Sequence, residues 1–326
     1  MLFPISLVFV ILSPVSVNLP ARIPQNPQPQ SGQQFEIQKN VELVVLRMSV
    51  RDSQGTLVSG LKQHDFQVFE DKVPQEIETF SQEDIPVVVG LVVDNSASMR
   101  TKRADVITAA LAFAQSSNMQ DQMFVINFNE TVSFGLPPEL PFTDQAERLR
   151  AALLRNSPDG RTALYDATSY ALEHLRKGDR DRRALIIVSD GGDNASNHTL
   201  AQIRAAAIHS DAIIYTIGLF DRDDPDRNPR VLKDLAKTTG GEAFFPDSSQ
   251  DVVPICEQIA QDIRHQYTIA YVPINTKQDG TYRSIEVKAH APGHGKLSVR
   301  TRTGYYAPLD HQASASIGAN HHDAPH

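Results

Sequence analysis

The chain has 326 residues, 40% of them hydrophobic, with 31 basic against 39 acidic side chains. That length suits two domains, and a mildly acidic balance without Lys/Arg runs argues against a nucleic-acid binder. The single cysteine, Cys256, excludes an intramolecular disulfide, and its place beside Ile255 and Ile259 predicts a small buried apolar side chain.

Residues 1–21 carry no charged side chain and are mostly apolar from Leu2 to Leu12. They predict a signal peptide with a cleavage site near Leu19-Pro20-Ala21, although no basic residue precedes the run and Pro4 and Pro14 interrupt it. The lack of a cysteine near its end excludes the usual lipid-anchored variant. Uncleaved, the segment would be a membrane anchor, and this is the only membrane contact expected. No later segment reaches spanning length. Residues 22–34, rich in Pro and Gln, read as an extended linker.

From 35 to 83 the pattern is β-like. Leu43 to Val50 predicts a strand, Asp52 to Gly55 a turn, Phe66 and Val68 a second strand, Asp71 another turn, and Ile77 to Phe80 a further strand. From 84 to 264 strands alternate with helices. Val87 to Val93 is a nearly continuous apolar run, as in a parallel strand buried on both faces. Val106, Ile107, Ala110, Leu111 and Ala114 define one face of a helix. Strands follow at Met123 to Phe128 and Val132 to Phe134. Thr143 is the expected cap of a helix carrying Leu149, Ala152 and Leu153. A helix with Leu164, Ala167, Ala171, Leu172 and Leu175 leads to a buried strand at Ala184 to Val188. Thr199 and Gln202 have capping-box spacing. A strand at Ala212 to Leu219, a helix at Leu232 to Ala236 stopped by Gly240-Gly241, a short strand at Ala243 to Phe245 and a helix from Val252 to Arg264 complete an α/β doubly wound pattern.

Residues 265–306 return to β alternation, at Tyr267 to Tyr271, Ile285 with Val287, and Leu297 with Val299. Asp279-Gly280 reads as a hairpin turn. Each β segment is too short for a domain, so the two are expected to pair as one discontinuous β unit beside the α/β core. Residues 307–326 are expected to be a disordered tail, whose histidines are better read as solvated than as metal ligands.

The chemistry concentrates at Asp94-Asn-Ser96-Ala-Ser98, directly after the buried strand. Loops beyond the strand C-termini of parallel α/β sheets are where ligands bind. In an extended loop, alternate residues point the same way, so Asp94, Ser96 and Ser98 would surround one point. Such an all-oxygen set suits a hard cation. Alone the motif is weak, because Asp and Ser are ordinary loop and cap residues. Two further segments strengthen it. DGRTALYD at 159–166 puts Thr162 at the mouth of a helix, and LIIVSDGGDN at 185–194 delivers Asp190 into a Gly-Gly loop.

This set of DxSxS, Thr and Asp-Gly resembles the metal-ion-dependent adhesion site of von Willebrand factor type A domains, over roughly residues 84–264. Ala97 stands where many members have Gly. DFQVFED at 65–71, the strand leading to Asp94, and the ending RTGYYAP resemble the bacterial secreted VWFA-related domain proteins of acidobacterial type. The first resemblance implies that Ser96, Ser98 and Thr162 bind a divalent cation through their hydroxyls. It implies that Asp94 and Asp190 hold the cation's waters, or bind directly in another state. Neutral hydroxyls leave the ion's charge poorly neutralised, so an open position attracts a partner's Asp or Glu carboxylate. Mg2+ suits such a site, with Mn2+ or Ca2+ as alternatives.

Other signals fail. Aligned from Asp224 as a calcium-hand loop, position 6 is Pro229 and position 12 is Leu235, so the acidic stretch 221–228 reads as a solvated loop. No phosphate loop, dinucleotide fingerprint, HExxH or GxSxG motif occurs, so no nucleotide and no catalytic residue is expected. The reading is an exported, non-enzymatic protein-binding module, periplasmic, secreted or in the cell envelope. A regulatory or scaffolding subunit of a larger assembly is the alternative, and a metal-dependent hydrolase comes third. The N-terminal run disfavours the first of these, because ATP-driven partners are cytoplasmic. The absence of a general base beside the motif disfavours the second.

Overall fold

The computed structural model describes residues 43–220 and 227–309, which fall in one compact unit. The expectations for the signal peptide at 1–21, the linker at 22–34, the start of the first β segment, most of the acidic stretch at 221–228 and nearly all of the tail lie outside the described residues. No helix among the described residues is long and apolar enough to cross a membrane.

The centre is a six-stranded sheet built around β5 (Val87–Asp94), in which all eight residues are buried. Successive side chains of a strand point to opposite faces, so full burial requires cover on both. β5 lies between β6 (Gln122–Phe128) and β8 (Arg182–Ser189), parallel to both. β9 (Ile213–Gly218) and the short β10 (Ala243–Phe244) continue the parallel order beyond β8. β7 (Val132–Phe134) closes the far edge antiparallel to β6. The order is therefore β10-β9-β8-β5-β6-β7. Around it run α1 (Arg103–Ser116), α2 (Ala146–Leu153), α3 (Leu164–Leu175), α4 (Leu200–His209), α5 (Pro229–Thr239) and α6 (Val252–Arg264). α1 packs on α2 and α6, while α4 packs on α3 and α5. The doubly wound α/β class expected from the alternation is the class observed.

The flanking β segments form two four-stranded antiparallel sheets, and each sheet mixes strands from both ends of the chain. In one, β1 (Val44–Arg51) lies between β13 (Ser298–Arg300) and β11 (Tyr267–Tyr271), and β11 pairs on its other side with β4 (Thr79–Gln82). In the other, β12 (Tyr282–Ala289) lies between β14 (Gly304–Tyr306) and β2 (Phe66–Glu70), and β2 pairs with β3 (Val73–Gln75). Leu46, Met48, Phe66, Val68, Tyr267, Ile269, Tyr271 and Ile285 share one core, separate from that of the central sheet. Phe66 packs against Tyr267 across the core, tilted by 56° at 5.1 Å between ring centroids. The expected β unit thus exists as a two-layer sandwich.

Three local expectations need correction. Asp279-Gly280 does not make a hairpin, because β11 and β12 belong to different sheets. Both edges of β11 are taken by β1 and β4, so the chain must cross to the other layer before it can pair. Gly280 does adopt φ +70 there, as the turn signal requires. Thr143 does not cap α2. The helix starts at Ala146 after Gln145, while Thr143 exchanges backbone hydrogen bonds with Met123 and accepts from Gln145 N through its hydroxyl at 3.1 Å. Strand bonding has claimed the residue that local propensity favours as a cap. α5 begins earlier than its apolar pattern, at Pro229, with the Asn228 side chain accepting from Val231 N.

A buried polar cluster crosses the sandwich. Glu70 and Arg283 are each 2% exposed, and Glu70 Oε2 accepts from the hydroxyls of Tyr271 at 2.7 Å and Tyr305 at 2.9 Å. Arg283 Nη1 reaches Glu70 Oε1 at 3.3 Å. Glu70→Ala leaves a buried guanidinium without its carboxylate and two hydroxyls without an acceptor. The expected loss is about 3–5 kcal/mol in urea-unfolding free energy. A loss below about 1 kcal/mol contradicts this account of the sandwich core.

Candidate metal centre

β5 and β8 pair in parallel register, Val93 opposite Val188, so their C-terminal ends coincide. Asp94 ends β5, and Asp190 follows the last residue of β8. The chain leaves β5 toward β6 on one side, while β8 lies on the other. This is the switch point at which open α/β sheets form a crevice. Both carboxylates are 2% exposed. Each folds back on its own loop as a turn acceptor, Asp94 Oδ1 from Ser96 N at 2.8 Å and Asp190 Oδ1 from Gly192 N at 2.9 Å. The Ser189 hydroxyl donates to Asp94 Oδ2 at 2.6 Å, and the Ser98 hydroxyl donates to Asp190 Oδ2 at 2.5 Å.

The route by which Ser98 reaches the set differs from expectation. Ser96 is extended, but the chain then enters a 3-10 turn over Ala97–Met99. Alternation along an extended loop therefore does not orient Ser98. The turn does, and it anchors through Met99, 1% exposed in the core. The two serine oxygens stand 3.1 Å apart.

Thr162, 6% exposed, precedes α3 and belongs to a third loop tied to the other two by backbone bonds. Ala97 N donates to Gly160 O and Asp159 N to Asn95 O. Asn194 N and Ala195 N both donate to Thr162 O, at 2.9 and 3.0 Å. The loops bearing all five expected residues, Asp94, Ser96, Ser98, Thr162 and Asp190, are thus brought together at one rim of the sheet.

The sequence reading passed over several residues that build this rim. Ser189 links β8 to Asp94. Asn95, 2% exposed, bonds through its amide to Asn127 Oδ1 at 3.0 Å and accepts from Arg103 Nη1 at 2.6 Å. Gly191 has φ +83, and a Cβ there would lie 2.5 Å from the Asn228 carbonyl oxygen, so only glycine fits the turn after Asp190. Adjacency to Asp190 was the available signal for Ser189 and Gly191. Nothing in the sequence singled out Asn95 beyond its place inside the motif.

Electrostatics supply the test of fit for a cation. Burial, and then the nearby Asp190 carboxylate, push the Asp94 pKa up to about 6, against the opposing hydrogen bonds from Ser189 and Ser96. No Lys, Arg or His pairs with Asp94 or Asp190 among the described residues. No group of three or more His, Cys, Asp or Glu gathers as a metal site among the described residues either. Among the described residues the donor set is therefore two buried carboxylates that accept hydrogen bonds but form no ion pair, with hydroxyl oxygens beside them. That chemistry fits a hard divalent cation and does not fit a soft one.

Residues 89–192 match the family model described as von Willebrand factor type A domain. A solved structure described as von Willebrand factor type A from Catenulispora acidiphila is similar at 14% identity and TM-score 0.50, over 87% of this chain and 78% of that one. It shares the fold. An aerotolerance-related membrane protein from Bacteroides fragilis is similar at 18% identity and TM-score 0.45, over 54% of this chain and 98% of that one. The vWF domain of a type V pili tip protein from Porphyromonas gingivalis is similar at 14% identity and TM-score 0.45, over 55% and 95%. No curated protein matches the chain.

The raised pKa of Asp94 has a thermodynamic sign. A carboxyl whose pKa is higher folded than unfolded contributes stability below its unfolded pKa and loses it as pH rises through the folded value. In EDTA, wild type should lose up to about 3 kcal/mol relative to Asp94→Asn between about pH 4 and pH 6, at about 1.4 kcal/mol per unit. Urea unfolding across that range measures it. A difference that stays flat with pH contradicts the uncompensated burial of Asp94.

Proposed function

We propose that this chain is a non-enzymatic protein-binding module that captures a carboxylate of a partner protein through a divalent cation, Mg2+ in the first instance and Mn2+ or Ca2+ otherwise. One observation carries the reading. Two carboxylates, Asp94 and Asp190, are buried beside each other, each accepting from a serine hydroxyl, and neither has a Lys, Arg or His ion-pair partner among the described residues. Burial of that kind is unfavourable unless positive charge comes from elsewhere.

Ser96, Ser98 and Thr162 would hold the cation through neutral hydroxyls, with Asp94 and Asp190 behind them. A bound cation supplies an electrophilic position that an Asp or Glu of a partner can fill. The protein orients the hydroxyls through the 3-10 turn and the Thr162 loop, and it keeps water from the carboxylates by burying them. The type A match over residues 89–192 supports this class of function. The uncharged N-terminal run supports an exported location, periplasmic, secreted or in the envelope.

The test is thermal unfolding of the full chain in millimolar Mg2+ and in EDTA, followed by capture of partners from the native envelope or medium under both conditions. A ligand that binds only the native state stabilises it by about 2.7 kcal/mol at a hundredfold excess over its dissociation constant. Wild type should therefore melt higher in Mg2+, and Asp94→Ala should lose the increment. Thr162→Ala should bind the partner more weakly with little loss of fold, since the loop bonds at this position are made by the backbone N–H and carbonyl. Equal midpoints in Mg2+ and EDTA reject the cation. A metal increment with metal-independent capture leaves the cation as a structural brace and rejects the carboxylate mode.

A further inference from the structure

The start of α3 is held together in an unusual reciprocal way. The first N–H groups of a helix lack partners inside it and must find them elsewhere. Here they find them on the loop that follows Asp190. Tyr165 N donates to Asp193 Oδ2 at 2.9 Å and Asp166 N to Ser196 Oγ at 3.0 Å. In return, the Asp166 carboxylate, on the first turn of α3, accepts the donors of that same loop. Asn197 N lies 3.0 Å from Oδ2, and His198 N lies 2.9 Å from Oδ1. His198 Nδ1 is 2.7 Å from Oδ1.

Thr162 sits inside this exchange. Its N–H donates to Asn194 Oδ1 at 2.9 Å, and its carbonyl accepts from Asn194 N and Ala195 N. Asp166 is 8% exposed. Burial alone would raise its pKa, but the donors of Asn197 and His198 outweigh burial and hold it below the ordinary carboxylate value. Asp166 is therefore an ionised acceptor at neutral pH.

We propose that Asp166 is a positioning residue for the cation site, locking the loop of residues 193–198 onto the mouth of α3 so that Thr162 and Asp190 are held as one pair. This rests on the reading of the five oxygen residues as a cation site. A neutral hydroxyl is a weak ligand and contributes little unless its direction is fixed in advance. The backbone of Thr162, from which the hydroxyl projects, is held on both sides by Asn194, and Asn194 lies in a loop whose far end Asp166 ties down. Outer partners of metal ligands typically contribute about tenfold to a hundredfold in metal affinity.

The experiment is calorimetric titration of the full chain with Mg2+ alone, paired with thermal midpoints in EDTA. Asp166→Asn keeps the shape of the side chain and removes its charge. Asn194→Ala removes the acceptor of Thr162 N at an exposed position, and it carries the test if Asp166→Asn fails to fold. Asp121→Asn is the control, because Asp121 is equally buried and accepts from Val87 N at 2.9 Å and Asn118 N at 2.9 Å, at the other end of the strands. Wild type and Asp121→Asn should bind Mg2+ alike, even with a lowered midpoint in EDTA for the control. Asp166→Asn and Asn194→Ala should bind about tenfold more weakly, or worse. Wild-type affinity in both variants overturns the positioning role and leaves the cation site standing. A wild-type chain that does not bind Mg2+ overturns the site and the role together.

Discussion

The parallel pairing of β5 with β8 is the constraint on which the rest depends. Once Val93 stands opposite Val188, the two strands end together, and Asp94 at the end of β5 and Asp190 just beyond the end of β8 emerge at the same point of the rim. β5 is buried over its whole length and β8 at every residue but Arg183, so both carboxylates emerge from strands covered on both faces. The fold thus creates an electrostatic problem at one point of its rim, and Asp94 registers it as a raised pKa. The serines, the 3-10 turn and the Gly191 turn can all be understood as parts fitted around that point.

The sandwich answers a different problem. Its strands come from both ends of the chain, so each layer depends on contacts between residues more than 180 apart in sequence. β11 follows α6 after only two residues, which fixes where the second half of the sandwich starts. Polar contacts then tie the two units. Arg302 meets Asp211 at 2.6 Å, Arg51 pairs with buried Asp262, and Arg47 donates to Asp181 O at 2.9 Å. These three contacts lie away from the rim that carries Asp94 and Asp190.

Much of this was legible in the sequence where one principle dominated. The Val87 to Val93 run reads as a doubly covered strand because only burial on both faces tolerates it, and the Thr199–Gln202 capping box forms as its spacing indicates. The three loops that carry Asp94, Ser96, Ser98, Thr162 and Asp190 were legible because each directly follows a buried strand or opens a helix, and backbone bonds bring the loops to one rim. Legibility failed where tertiary pairing overrides a local signal. Thr143 has the chemistry of a cap but is recruited by Met123, and Asp279-Gly280 has the chemistry of a hairpin but follows a strand whose edges are both occupied. The clamp between Asp166 and the loop of residues 193–198 was illegible for another reason. Its partners are about 30 residues apart, and each is an unremarkable loop or helix-start residue on its own.

The central claim is that these five side chains hold a divalent cation. Crystals of the full chain grown with Mn2+ test it most directly, by the anomalous scattering of the ion. The account predicts a single strong peak at the rim, in direct contact with the hydroxyl oxygens of Ser96, Ser98 and Thr162 and beside the carboxylates of Asp94 and Asp190. A map with no peak there at saturating Mn2+, or with the ion bound elsewhere, contradicts it.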